Sequence, residues 1–160
     1  MKDDMPTFGI GPTYVGIISV VTLVSLVLDH LGLMPDWSPL PPLFCIVSSV
    51  VLIAAGIAIW YTAVMKDRVS EGISEDRLIT TGIYAYVRNP IYTAFMFMNW
   101  GLLLASGNTA LLVIAPTYWI LMTAMVESTE ERWLSAKFGE EYTEYCRRVN
   151  RCIPWFPRER

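Results

Sequence analysis

Three long stretches without a charged side chain, at 5–28, 37–65 and 89–126, constrain this chain more than any other feature. Each can cross a bilayer, because about 20 apolar residues rising about 1.5 Å apiece span the hydrocarbon core. The third is long enough for two crossings, and Ser106-Gly107-Asn108 supplies a tight turn at its middle. The pattern predicts an all-α integral membrane protein with four transmembrane helices near 12–30, 42–65, 90–106 and 109–126. A loop at 66–89 and a C-terminal amphipathic helix with its tail at 127–160 complete a single membrane domain over 1–160. A hydrophobic fraction of 54% is too high for an ordinary soluble fold of this length. The leading residues Lys2, Asp3 and Asp4 are barely basic and no small-x-small site follows Leu28, so the first helix is expected to stay as an anchor.

Orientation follows from lysine and arginine placement. Of the twelve such residues, one lies in the N-terminal tail, four in the 66–89 loop and seven beyond residue 126. The opposite connections, 29–42 and 106–108, contain none. Both termini and the central loop are therefore expected in the cytoplasm. Between the helix ends there is no Asp, Glu, Lys, Arg or His, which argues against a proton-coupled exporter. Cys45, Cys146 and Cys152 form no metal-binding pattern and are expected as free thiols, and His30 reads as an interfacial polar residue. No repeat, phosphate-binding glycine loop or nucleic-acid-binding patch is present, so neither a metal nor a nucleic-acid partner is expected.

Polar side chains with chemical potential concentrate in two cytoplasmic segments. The first, 78–92, ends in Arg88-Asn89-Pro90-Ile91-Tyr92. Asn89 suits an N-cap and Pro90 a first helical residue, which already explains the pair as the start of a helix. A helix N-terminus also offers free N–H groups and partial positive charge to a carboxylate or phosphate, with Arg88 beside it. Any one of Tyr84, Tyr86 and Tyr92 reads by default as an interfacial aromatic, while the three together beside a helix start can line a pocket whose ring faces attract a cation with about 0.5–2 kcal/mol. In the second segment Glu127, Glu130, Glu131 and Leu134 share one helical face, so three carboxylates emerge together. Their repulsion needs a solvated surface or a cation, either Arg88 or a ligand's ammonium. Trp133, Phe138, Tyr142, Tyr145 and Val149 follow at amphipathic spacing, and Ile153-Pro154-Trp155-Phe156-Pro157 ends the run as an aromatic anchor.

Together the segments resemble the isoprenylcysteine carboxyl methyltransferase and phospholipid methyltransferase superfamily over about residues 60–157. The first block is Leu78, Thr80, Gly82, Tyr84, Arg88, Asn89, Pro90 and Tyr92. The second is Glu130, Glu131, Leu134, Phe138, Gly139, Tyr142, Tyr145, Val149, Arg151, Ile153 and Pro154. The resemblance implies transfer of the methyl group of S-adenosylmethionine to a lipophilic or lipidated acceptor delivered by the bilayer. A carboxylate of the prenylcysteine type leads, with a phospholipid amine or a thiol as alternatives. It implies cofactor binding by Gly82, Tyr84, Arg88, Asn89, Pro90, Tyr92, Glu130 and Glu131, and catalytic roles for Arg88 and Glu131. By charge, Arg88 and the helix start suit the cofactor's carboxylate, the glutamates its ammonium and Tyr84 or Tyr92 its sulfonium side. These assignments can be permuted, and Arg88 equally suits an acidic acceptor. Position 89 departs from the family version that reads Arg-His-Pro, so no histidine base exists there. Two other classes share parts of the pattern: an NADPH-dependent membrane reductase, through the tyrosine-arginine-proline block, and a non-enzymatic tetraspan transporter or structural protein.

Overall fold

The structure, a computed structural model, describes residues 9–66 and 77–157. The middle of the expected cytoplasmic loop and both chain ends lie outside these residues. Helix α1 runs Gly11–His30, opened by Pro12, and α2 runs Pro42–Tyr61, opened by Pro42. Proline serves there because the first helical N–H has no partner to lose. A π-helical turn, Thr62–Lys66, continues α2, and a short 3₁₀ turn, Gly82–Ala85, precedes α3 at Pro90–Ala105. A 3₁₀ stretch, Thr109–Ile114, leads directly into α4, Ala115–Ser128.

Three of these segments are long and apolar enough to cross a membrane: Gly11–His30, Pro42–Met65 and Thr109–Phe138, of 20, 24 and 30 residues. Helix α3 has 16 residues, about 24 Å at the α-helical rise, and is shorter than a typical hydrocarbon core. It is nonetheless the centre of the fold. Thr93, Ala94, Met96 and Leu103 are fully buried, whereas α1 and α2 turn valines, leucines and isoleucines outward. Such a distribution suits helices solvated by hydrocarbon, where only contacts between helices need shape.

Helix α2 packs along one side of α3 through two glycines. A Cβ at Gly56 would lie 2.7 Å from the Ala94 carbonyl oxygen, and one at Gly101 would lie 2.7 Å from Ile53 Cγ1. Helices α1 and α4 cover the other side, with Tyr14, Ile18, Met96, Leu103, Leu111, Tyr118, Met122 and Val126 forming the core. Buried polar groups in this layer are paired. The Tyr14 hydroxyl donates to the Tyr118 carbonyl at 3.2 Å, and Thr22 and Tyr118 share a hydroxyl pair at 2.7 Å.

At the end opposite the motif segments, Asn108 acts as a latch. Its amide nitrogen donates to Asp29 Oδ1 at 2.6 Å and to the Pro35 carbonyl at 2.8 Å. Its amide oxygen accepts from the N–H groups of Trp37 at 3.2 Å and Ala110 at 3.0 Å. The connection between α1 and α2 is thereby fastened to the turn between α3 and α4.

In place of one continuous amphipathic helix, the segment after α4 breaks twice. Thr129 leaves helical geometry at φ −124° and ψ −81°, and Gly139 takes φ +54°, a left-handed value that favours glycine. The products are α5, Glu130–Phe138, and α6, Glu140–Arg148. Tyr142, Tyr145 and Val149 pack inward on Leu78, Leu134 and Phe138, and α6 is thus laid against the segment that leads into α3.

Candidate functional site

Beyond α6 the chain turns extended and runs parallel to the residues that open α3. Val87 and Asn150 form a parallel bridge. The Arg88 N–H donates to the Asn150 carbonyl at 2.9 Å and the Asn89 N–H to the Arg151 carbonyl at 3.2 Å. Two further bonds extend the seam: Thr93 Oγ1 donates to the Cys152 carbonyl at 2.6 Å, and the Trp155 N–H to the Tyr86 carbonyl at 3.1 Å. The two motif blocks, about sixty residues apart in sequence, therefore meet backbone to backbone. The Tyr145 hydroxyl adds a bond to the Tyr84 carbonyl at 2.7 Å.

This pairing corrects the expected role of Asn89. Its side chain makes no cap hydrogen bond; the amide instead donates to the Arg151 carbonyl at 3.1 Å. A partner from across the fold outcompetes the local one, and the first turn of α3 is served by the Asn89 carbonyl, which accepts from Thr93 N–H and Oγ1.

The expected acidic face is also redistributed. Glu130 and Glu131 are adjacent on α5, about 100° apart around its axis, and point to different partners, while the break at Thr129 sets Glu127 on another helix. Glu131, its side chain 12% exposed, lies 3.2 Å from Arg88 Nη2. It also accepts a two-pronged contact from Arg151, with Nε and Nη2 each at 2.8 Å from a carboxylate oxygen. Two arginines on one carboxylate replace carboxylate repulsion with charge-assisted bonding in fork geometry. Glu127, largely exposed, touches the outer side of Arg151 at 3.4 Å. Glu130 turns the other way, accepting the Tyr92 hydroxyl at 2.5 Å and the Ile10 N–H at 3.0 Å on the same oxygen, Oε1.

Arg88 is nearly enclosed, its side chain only 9% exposed. Nη2 faces Glu131 and Nη1 donates to Cys146 Sγ, while Nε is buried without a hydrogen-bond partner. A buried donor on a charged group without a partner is costly, and a ligand acceptor would relieve it. Burial pushes the Cys146 thiol up although Arg88 pulls it down, and burial likewise raises Cys152, Tyr142 and Tyr145. These groups are therefore neutral at physiological pH. Hydrogen bonding to Glu131 raises Arg151 further, fixing its charge.

Of the other expected site residues, Gly82 sits at φ +62° where the 3₁₀ turn begins, and Pro90 is fully buried as the first residue of α3. Tyr86 turns outward, its ring edge against Phe156 at a centroid distance of 6.2 Å. Sequence reasoning did not single out Arg151, Cys146 or the start of α1 as neighbours of the site. All three reach it through contacts of 20 to 120 residues' separation. Among the described residues no group of His, Cys, Asp or Glu is arranged to hold a metal ion.

Comparison with known proteins places this sequence in a wider group. The phospholipid methyltransferase family model matches residues 43–141. The chain is 36% identical over 81 residues to a protein-S-isoprenylcysteine O-methyltransferase of Schizosaccharomyces pombe, covering 50% of this chain and 34% of that protein. It is 34% identical over 79 residues to methanethiol S-methyltransferase 1 of Bradyrhizobium diazoefficiens, covering 49% of this chain and 27% of that one. With protein-S-isoprenylcysteine O-methyltransferase B of Arabidopsis thaliana it shares 28% identity over 96 residues, 59% of this chain and 47% of that one. The matches thus span between about a quarter and a half of these relatives. No solved structure matches the chain.

Proposed function

The chain belongs to the phospholipid methyltransferase family, and from that premise we propose that it transfers the methyl group of S-adenosylmethionine to a lipophilic acceptor at the junction of α3 with the C-terminal segment. The observation that carries this reading is Arg88: a nearly enclosed guanidinium with an unpartnered Nε, beside a helix start, where the two motif blocks pair. The donor set suits the cofactor's amino-acid end. Arg88 Nε and the first N–H groups of α3 would hold its carboxylate. Glu130 has one oxygen occupied by Tyr92 and Ile10, and its other would take the ammonium. Glu131, already shared between two arginines, holds Arg88 in place and does not itself contact the ammonium. Gly82, Tyr84, Asn89, Pro90 and Tyr92 shape the surroundings.

The bound cofactor supplies an electrophilic methyl group, and the chain's own contribution is to orient it, bring the acceptor in line and exclude water. The site's carboxylates are engaged by arginine or tyrosine, its thiols are neutral and position 89 is an amide. Among the described residues of the site, no histidine, ionised thiol or wholly unengaged enclosed carboxylate stands ready as a general base. That favours an acceptor that arrives anionic, a carboxylate of the prenylcysteine type, over an amine that must lose a proton. The relative named for methanethiol keeps a thiol as the second reading.

The placement of lysine and arginine supports four crossings, with both termini and the site on the cytoplasmic side. In that topology α3 is the short crossing, buried by its neighbours, and local bilayer thinning accommodates its length.

S-adenosylhomocysteine should raise the melting temperature of the detergent-purified protein, and Arg88→Ala or Glu130→Gln should weaken its binding by about 1.5–3 kcal/mol. Stabilisation by NADPH alone would reverse the reading toward a reductase, and full affinity in both variants would overturn the site assignment. Labelled cofactor incubated with a lipid extract identifies the acceptor from the labelled product.

A further inference from the structure

The charge balance around Glu131 has a use beyond holding the fold. Arg88 and Arg151 together bring two positive charges to one carboxylate, while Glu127, the remaining acid, is 63% exposed and meets only the outer nitrogen of Arg151 at 3.4 Å. Arg151 occupies both oxygens of Glu131 at 2.8 Å, whereas Arg88 meets one of them at 3.2 Å with a single nitrogen. The stronger claim on Glu131 is therefore that of Arg151, and the enclosed Arg88 keeps an uncompensated share of its charge together with the unpartnered Nε. The backbone of Arg151 is pinned to the start of α3 as well, since its carbonyl accepts both the N–H and the side-chain amide of Asn89. One residue thus fixes the seam and sets the charge state next to it.

We propose that Arg151 is a positioning residue that saturates Glu131, so that the Arg88 guanidinium stays available to the carboxylate of the bound methyl donor. The proposal rests on the reading of Arg88 given above. Without Arg151, Glu131 would turn wholly to Arg88, neutralise it and compete with the ligand. The effect is electrostatic and travels through Glu131, which separates it from a merely structural contribution.

Two probes and a double-mutant cycle test this by calorimetry on the detergent-purified full chain. The probes are S-adenosylhomocysteine and its decarboxylated counterpart, which retains the amine. Arg151→Gln should weaken the first about tenfold and the second by less than about twofold, as the loss of one charge-assisted bond requires. In a Glu131→Gln background the same change should cost nothing further, because no carboxylate remains to capture Arg88. Equal weakening of both probes would mark Arg151 as structural only. An undiminished loss in the Glu131→Gln background would mean direct contact with the ligand. Either result overturns the proposal, as does a wild-type protein that binds both probes equally, although that last result leaves the methyl-donor reading intact. A wild-type protein that binds neither overturns both.

Discussion

Replacing Gly56 by alanine should unlock α2 from α3 and carry the disturbance to the site. The new Cβ would lie 2.7 Å from the Ala94 carbonyl oxygen, 2.7 Å from Met98 Cγ and 3.2 Å from Met98 N, against 3.4 Å where ordinary contact begins. Met98 Cγ belongs to a flexible side chain and can rotate away. The Ala94 oxygen belongs to helix backbone and cannot, so the helices must part by about 0.7 Å there, enough to forfeit a large fraction of the dispersion contact along the seam. Overpacking of this kind costs about 1–3 kcal/mol, and the backbone clash places this case toward the upper part of that range. For a chain of this size each kcal/mol moves the melting temperature by about 2–4 °C, giving a fall of about 4–12 °C in detergent. Ala94 stands one turn into α3 from Pro90, so S-adenosylhomocysteine affinity should weaken in parallel. Gly16→Ala on α1 is the control: no neighbour lies within 4 Å of its Cβ, and alanine improves helix propensity, so its melting temperature should not fall. If the two variants melt alike, close α2–α3 packing is not what holds this bundle together.

At the opposite end, Asn108→Ala removes a side chain that is 6% exposed and strands the Trp37 and Ala110 N–H groups and the Pro35 carbonyl. Stability should drop by about 2–4 kcal/mol while S-adenosylhomocysteine affinity, normalised to folded protein, is unchanged; a parallel loss of affinity would contradict the separation of latch and site. Alkaline pH should also destabilise the protein. Cys146 and Cys152 are raised above 9.0, and Tyr142 and Tyr145 above 10.0, by burial. A raised acid keeps its proton when folded and loses it when unfolded, so its contribution is intact below the unfolded value and is lost as pH rises beyond it. The melting temperature should therefore fall progressively above about pH 9, and a flat profile there would mean these groups ionise in the folded protein.

Much of the helical layout was legible because it depends on local composition. Apolar runs bounded by charge, proline at helix starts and Ser106-Gly107-Asn108 at the hairpin are properties of short windows, and helices lie along each run. The site was legible as an inventory but not as a wiring diagram. Arg88, Tyr92, Glu130 and Glu131 stand out by type and spacing, yet which carboxylate meets which partner depends on how α5 is set against α3 and the C-terminal segment, contacts that no short window of sequence contains. Asn89 shows the limit in one residue: local rules make it a cap, and a carbonyl 62 positions away takes its amide instead. Arg151 was visible within the second block, but nothing near it in sequence identifies Glu131 as its partner, twenty residues upstream across a helix and two turns.

The parallel seam between 87–89 and 150–152 also divides the chain into apolar helices that hold it in the membrane and a short segment that completes the site. Residence in the membrane and completion of the site therefore draw on different stretches of sequence. A product cut behind Arg148 would keep every apolar helix, and with it a normal residence in the membrane, while lacking the strand that brings Arg151 to Glu131. Loss of the residues behind Arg148 would thus remove the seam and the Arg151–Glu131 contact while leaving the apolar helices in place.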